Sequence, residues 1–241
     1  MNDSRSSRPS PPRVGTETAE FKAAALDDAI NGLAVRNPLA SAAIAFVPWQ
    51  KYTAIVAAVL LVACVVFAPI GTLLAVTVLC TIGYLLAMID RLLLFSRGLD
   101  AAAIVTVTDE QARAIPDDRL PLYTILVPAY DEPEVVGDLI AAMTGLDYPA
   151  EKLQVLLLLE EDDDVTIEAA ARSGVSDLVD VVLVPAGDPR TKPKACNYGL
   201  HFATGSIVTI FDAEDLPEQL QLRRVVAAFE RLPDTVACVQ A

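Results

Sequence analysis

The chain has 241 residues, of which 54% are hydrophobic and 21% charged. That balance is too apolar for an ordinary soluble protein of one or two domains and directs attention to membrane segments. A formal net charge of -14 argues against a nucleic-acid partner, which needs a basic face, yet it permits a nucleotide held by backbone amides, one or two lysines and a divalent cation.

Residues 1 to 20 are rich in Ser, Pro, Arg and Thr and read as a disordered tail with too little to bury. No secretory signal follows, because there is no apolar core with a small-residue cleavage site. From Phe21 to Val35, Phe21, Leu26, Ile30 and Leu33 fall near helical spacing, which fits a short amphipathic helix at a membrane surface or a local turn of structure. Tyr52 to Ile89 contains no charged residue, and Pro69 and Gly71 interrupt it near the middle. The expected structure is a helical hairpin with arms Tyr52 to Ala68 and Thr72 to Ile89. Each arm is slightly short of the ~20 residues that span a bilayer, although Leu92 to Phe95 can extend the second. Trp49 and Tyr52 sit where interfacial aromatics belong. Lys51, Arg91 and Arg97 flank the hairpin while its turn is uncharged, so both ends are expected on the cytoplasmic side.

Four segments result: a disordered and juxtamembrane stretch at 1–50, the hairpin at 51–97, a connector at 98–120 and a second domain at 121–241. In that domain short apolar runs alternate with helical patterns, the mark of a parallel sheet with crossover helices. The expected strands are Tyr123 to Val127, Gln154 to Leu159, Val179 to Val184 and Ser206 to Phe211. They lack apolar-polar alternation and read as buried on both faces. Val135, Val136, Leu139, Ile140 and Met143 mark one helix, with Pro133 near its start and Gly145 past its end. Lys194 to Ala203 and Pro217 to Arg231 supply others. Cys64 and Cys80 lie in apolar runs, Cys196 and Cys238 stand alone, and no disulfide or zinc spacing appears, which fits a reducing cytosolic face. His201 is the only histidine, which removes histidine-rich metal sites.

Polar chemistry collects where the strands end, the place where ligands bind in parallel sheets. The first strand runs into Pro128-Ala129-Tyr130-Asp131-Glu132-Pro133, a stiffened turn that sets an aromatic ring beside carboxylates; a base could lie against Tyr130. The second empties into Glu160-Glu161-Asp162-Asp163-Asp164, acids suited to a base or ribose, or to a solvated helix start. The fourth ends at Asp212-Ala213-Glu214-Asp215. Oxygen ligands on so short a turn suit Mg²⁺ or Mn²⁺ when a diphosphate completes the shell, and the alternative is a helix start before Pro217. Between them, Arg190, Lys192 and Lys194 concentrate three cations just before a helix. They oppose its dipole unless an anion is shared there.

Taken in order, these motifs resemble the family 2 glycosyltransferases of the GT-A fold, especially the membrane-embedded branch of cellulose synthases and bacterial exopolysaccharide enzymes. Val127-Pro128-Ala129-Tyr130-Asp131-Glu132 resembles the family's Val-Pro-x-Tyr-Asn-Glu opening, Lys194-Ala195-Cys196-Asn197 its Lys-Ala-Gly-Asn element, and Phe211 to Asp215 its Asp-x-Asp metal turn. The resemblance covers about residues 120 to 241 with the preceding hairpin. It implies an α/β, Rossmann-like, mostly parallel sheet, and inverting transfer from a nucleotide diphosphate sugar, UDP-linked, to a growing polysaccharide or other saccharide acceptor. Substrate-binding residues would be Pro128, Ala129, Tyr130, Glu132, an acid among Glu160, Glu161, Asp162 and Asp163, then Lys192, Lys194 and Asn197. Asp212, Glu214 and Asp215 would hold Mg²⁺ or Mn²⁺. The family's Thr-Glu-Asp base motif and Gln-x-x-Arg-Trp acceptor motif do not occur, so the expectation is an amino-terminal, donor-binding half with no catalytic base of its own. The implied location is the cytoplasmic membrane, multi-pass, with both termini and the α/β domain cytosolic. A regulatory nucleotide-binding module and a lipid-phosphate sugar transferase are the competing readings, and a partner subunit is left open.

Overall fold

The computed structural model describes residues 12–42, 46–98, 104–134, 136–174 and 178–240. They divide into two units, one of Pro38–Thr106 and the other of Met1–Asn37 together with Val107–Ala241. Residues 1–11 of the expected tail, and Val135 of the expected apolar helix face, lie outside the described residues.

The Pro38–Thr106 unit is a pair of contacting helices, α2 (Pro48–Phe67) and α3 (Pro69–Gly98), separated by Ala68 alone. Both are long and apolar enough to cross a membrane, and none of their described residues is buried. At 1.5 Å per residue they reach about 30 and about 45 Å, against a hydrocarbon core of about 30 Å. The expected shortfall of each arm is therefore absent. The apolar run is broken at Ala68, and Pro69, as expected, marks the break by opening α3, just as Pro48 opens α2, since a first-turn residue has no intrahelical use for its N–H; Gly71 does not interrupt and continues α3. Several hydroxyls within the pair bond their own helix, as in Thr53 to Trp49 O and Thr81 to Thr77 O, both 2.8 Å, which satisfies those donors internally.

In the other unit, β1 (Tyr123–Ala129), β2 (Leu153–Glu160), β3 (Val179–Val184) and β4 (Ile207–Ile210) form one parallel sheet in the order β3-β2-β1-β4. The connecting helices are α5 (Val136–Thr144), α6 (Asp164–Arg172) and α7 (Lys192–Gly199), with α8 (Gln221–Phe229) after β4 and the short α4 (Asp109–Arg113) ahead of β1. This is the expected α/β class. β1 and β2 are buried along nearly their whole lengths, as expected of central strands. β3 and β4 are not: Asp180, Leu183, Val208 and Ile210 face outward, because these two are the outer strands of the described sheet.

Each sheet face has its own core. Ile125, Val127, Leu157 and Leu159 meet Leu139, Ile140 and Met143 of α5 and Leu222 and Val226 of α8. The opposite face sets Leu126, Leu156 and Leu158 against Ala195, Cys196 and Tyr198 of α7 and against Phe202. Gly199 marks the close approach there, since a Cβ would lie 2.8 Å from Leu158.

Residues Ala19–Arg36 form α1, which belongs to this unit and packs on α7. A helix forms over this stretch, as one of the two sequence expectations had it, but it is docked on α7. The buried residues are the small Ala25, Ala29 and Gly32, with Leu33 exposed. Phe21 stands edge-on to Phe202 at 5.7 Å, and Asn197 Nδ2 donates to Ala29 O at 3.0 Å.

Candidate functional site

Connections after β1 step outward to β2 and β3, and the chain then returns to the other side of β1 for β4. The strand order thus reverses between β1 and β4, and loops leaving their carboxyl ends diverge around a crevice. A cavity of about 390 Å³ lies there, bounded by Pro128 and Ala129 at the end of β1, Tyr130 and Glu132 after it, Arg190 to Lys192 before and in α7, and Asp212 to Glu214 after β4. A larger cleft of about 510 Å³ runs along the outer edge of β4, but Asp215 is the only charged residue in its lining. The smaller cavity gathers both signs of charge beside an aromatic ring, so the polar chemistry belongs to it.

The turn after β1 is held from below. Asp131 has a left-handed φ of 56°, unusual for a residue with a side chain. Its N–H donates to Asp163 Oδ2 at 2.7 Å, and the next N–H, of Glu132, donates to Thr166 Oγ1 at 3.2 Å. Tyr130 is left half-exposed at the cavity. The Glu132 carboxyl is pushed above its ordinary value, first by burial and then by the charges of Glu214 and Glu134, with Lys192 opposing.

All four candidate acids after β2 have partners. Glu160 is buried and accepts from Lys194 Nζ at 2.8 Å. Glu161 Oε1 accepts the Ala186 N–H at 2.9 Å, and Asp162 pairs with Arg190, whose Nη1 also donates to Tyr130 OH at 3.1 Å. Asp163 accepts from Thr166 N at 3.1 Å and so caps α6. Of these four only Glu160 lines the cavity.

Helix α7 begins at Lys192, two residues before the expected start, with Pro193 in its first turn. That shift separates the two lysines. Lys192 is half-exposed, lines the cavity and pairs with Asp212 across it. Lys194, expected at the diphosphate, turns toward the sheet; it is 2% exposed and also donates to Gly187 O at 3.0 Å. Asn197, expected at the ligand, bonds α1 instead.

The turn after β4 divides similarly. Asp212 and Glu214 are exposed and line the cavity, whereas Asp215 borders the outer cleft and its Oδ2 accepts the Asp212 N–H at 2.8 Å. Among the described residues no three His, Cys, Asp or Glu side chains form a ready-made metal cluster. Two carboxylates lining one cavity nevertheless suit Mg²⁺ or Mn²⁺, which commonly takes one or two protein oxygens and completes its shell from phosphate and water.

Arg190, noted in the sequence only as one of three clustered cations, lines the cavity together with Thr191 and Ala195, and Thr166 supports it from beneath. The sequence signal for Thr191 was only its nearness to those cations.

Comparison with known proteins places these observations among sugar-transferring enzymes. The family profile described as "Glycosyltransferase like family 2" matches residues 121–241. A probable glycosyltransferase of Bacillus subtilis, YdaM, is 27% identical over 110 residues, which is 45% of this chain and 26% of that protein. Glycosyltransferase AglE of Haloferax volcanii is 28% identical over 109 residues, 45% of this chain and 35% of that protein. The matched regions thus span about a quarter to a third of these curated relatives. A mannosyltransferase from Pyrobaculum calidifontis, solved with GDP-Man and Mn²⁺, is 29% identical over 55% of this chain and 41% of that one, with a TM-score of 0.43.

Proposed function

Because the chain belongs to glycosyltransferase-like family 2, we propose that the 390 Å³ cavity holds a nucleotide diphosphate sugar, UDP-linked, for inverting transfer to a saccharide acceptor. One observation carries this reading: Tyr130, Lys192, Asp212 and Glu214 surround a single cavity at the strand-order reversal.

The base stacks on Tyr130, whose ring is held from its hydroxyl by Arg190. Lys192 and the first-turn amides of α7 receive the diphosphate, relieving the unfavourable placement of a cation at a helix amino terminus. Asp212 and Glu214 hold Mg²⁺ or Mn²⁺, which when bound neutralises charge on the departing diphosphate. Lys192, released from Asp212, is then free for phosphate oxygens. A base acting on the acceptor hydroxyl is assigned to none of these residues, so their chemistry is that of the leaving-group side. Helices α2 and α3 anchor the chain in the cytoplasmic membrane, with the α/β unit on the cytosolic side.

Titration calorimetry of the full chain in detergent with UDP, GDP and their sugar conjugates, each with Mn²⁺, tests the reading. Saturable binding that favours UDP is expected. Binding that ignores the base overturns the UDP assignment, and no binding of any nucleotide overturns the donor site.

A further inference from the structure

The acidic run after β2 reaches both walls of the cavity. Glu160, Glu161 and Asp162 bind Lys194, Ala186 N and Arg190 on the α7 side, while Asp163 alone binds the β1 side. We propose that Asp163 is a positioning residue, which holds the Tyr130–Glu132 turn in the shape of a cavity wall without touching the ligand. This rests on the donor-site reading for its consequence in binding, though not for its geometry.

Three features carry it. Asp163 is 8% exposed and is not part of the cavity lining, so direct contact with a ligand there is not its role. Its two oxygens serve different elements, Oδ1 the Thr166 N–H of α6 and Oδ2 the Asp131 N–H of the turn. The residue it holds, Asp131, has a positive φ that side-chain-bearing residues adopt at a cost, so the turn needs outside support to stay there. Thr166 adds a second brace by accepting from Glu132 N, and Tyr130 and Glu132, the residues either side of Asp131, both face the cavity. Burial alone would raise the Asp163 carboxyl, but hydrogen bonds from Asp131 N–H and from the hydroxyl and N–H of Thr166 outweigh it and hold it below its ordinary value.

Capping and bracing can be separated chemically. Asparagine caps helices as well as aspartate does, but it has one acceptor oxygen, and with that oxygen on Thr166 its NH₂ meets the Asp131 N–H donor to donor. Glycine at 131 would adopt the same φ without support. The wild-type chain, Asp163→Asn and Asp163→Asn/Asp131→Gly in detergent would be compared by amide hydrogen exchange without ligand and by UDP titration with Mn²⁺. In Asp163→Asn the Asp131 amide should exchange about tenfold faster or more while α6 amides keep their protection, and UDP affinity should fall about tenfold, as for one lost charge-assisted hydrogen bond. Adding Asp131→Gly should restore most of that affinity. Unchanged exchange at Asp131, or an affinity loss that glycine does not recover, overturns the proposal. If wild type binds neither UDP nor GDP, the donor reading falls, and exchange at Asp131 alone then decides whether Asp163 holds the turn.

Discussion

Two acidic turns stand at the carboxyl ends of strands that both flank β1, and they behave oppositely. After β2, Glu160, Glu161, Asp162 and Asp163 each bond a separate partner, and Glu160 and Asp163 are buried. After β4, Asp212 and Glu214 stay exposed on the cavity wall, and Asp212 holds only a surface pair with Lys192. Carboxylates in the first turn are occupied in joining loops; those in the second remain free to exchange partners for a cation. A run of acids is therefore no measure of a ligand site until each carboxylate's partner is known.

The largest contrast is expected in stability. Lys194→Met leaves Glu160 buried without its counter-charge and should cost about 3–5 kcal/mol in urea unfolding, with Glu160→Gln added to it recovering much of the loss. Lys192→Met removes a half-exposed pair and should change stability by less than about 1 kcal/mol while weakening UDP binding. Equal destabilisation by the two would erase the distinction drawn between the lysines.

Next is the Asp212→Ala change, expected to weaken Mn²⁺-dependent UDP binding by more than about a hundredfold, beyond the range for a residue that merely supports a ligand. Asp215→Ala removes one hydrogen bond within the turn and should cost about 1 kcal/mol of stability, leaving Mn²⁺ dependence intact. A similar loss of Mn²⁺ affinity in both variants would return Asp215 to the ligand set.

The smallest effects are in pH dependence and have opposite signs. Asp163 has a lowered value when folded, so its contribution is complete above the unfolded value of about 3.9 and is lost as pH falls through the lower folded value. Glu132 has a raised value, so its charged form disfavours the folded state near neutrality, and that penalty disappears as pH falls through the folded value. Glu132→Gln should slightly raise the melting temperature of the ligand-free protein at neutral pH, with the gap closing on acidification. Asp163→Asn should lower it at neutral pH.

How much of this was legible in the sequence follows from what each element needs. β1 and β2 were readable because central strands of a parallel sheet must be apolar on both faces, and the hairpin because an uncharged run of that length has few other uses. The docking of α1 was only partly so, since Phe21 packs on Phe202 while the buried residues of the helix are the small Ala25, Ala29 and Gly32 and the equally spaced Leu33 is exposed. Tyr130, Glu132, Lys192, Asp212 and Glu214, picked out in the sequence, line one cavity. Lys194, Asn197 and Asp215 were chosen by the same motifs and face elsewhere, because the start of α7 and the tightness of the 212–215 turn set their directions. Apart from Thr166, whose N–H Asp163 caps locally, the partners of the four acids lie 25 to 34 residues away along the chain, so no local pattern names them.

The most direct test of the division between the two turns is the electron paramagnetic resonance of Mn²⁺ titrated into the full chain with UDP. Free Mn²⁺ signal should be lost with wild type and with Glu161→Gln, and should persist with Asp212→Ala and with Glu214→Ala. Persistence with wild type, or loss that Asp212→Ala leaves unchanged, would contradict a cation held by the turn after β4.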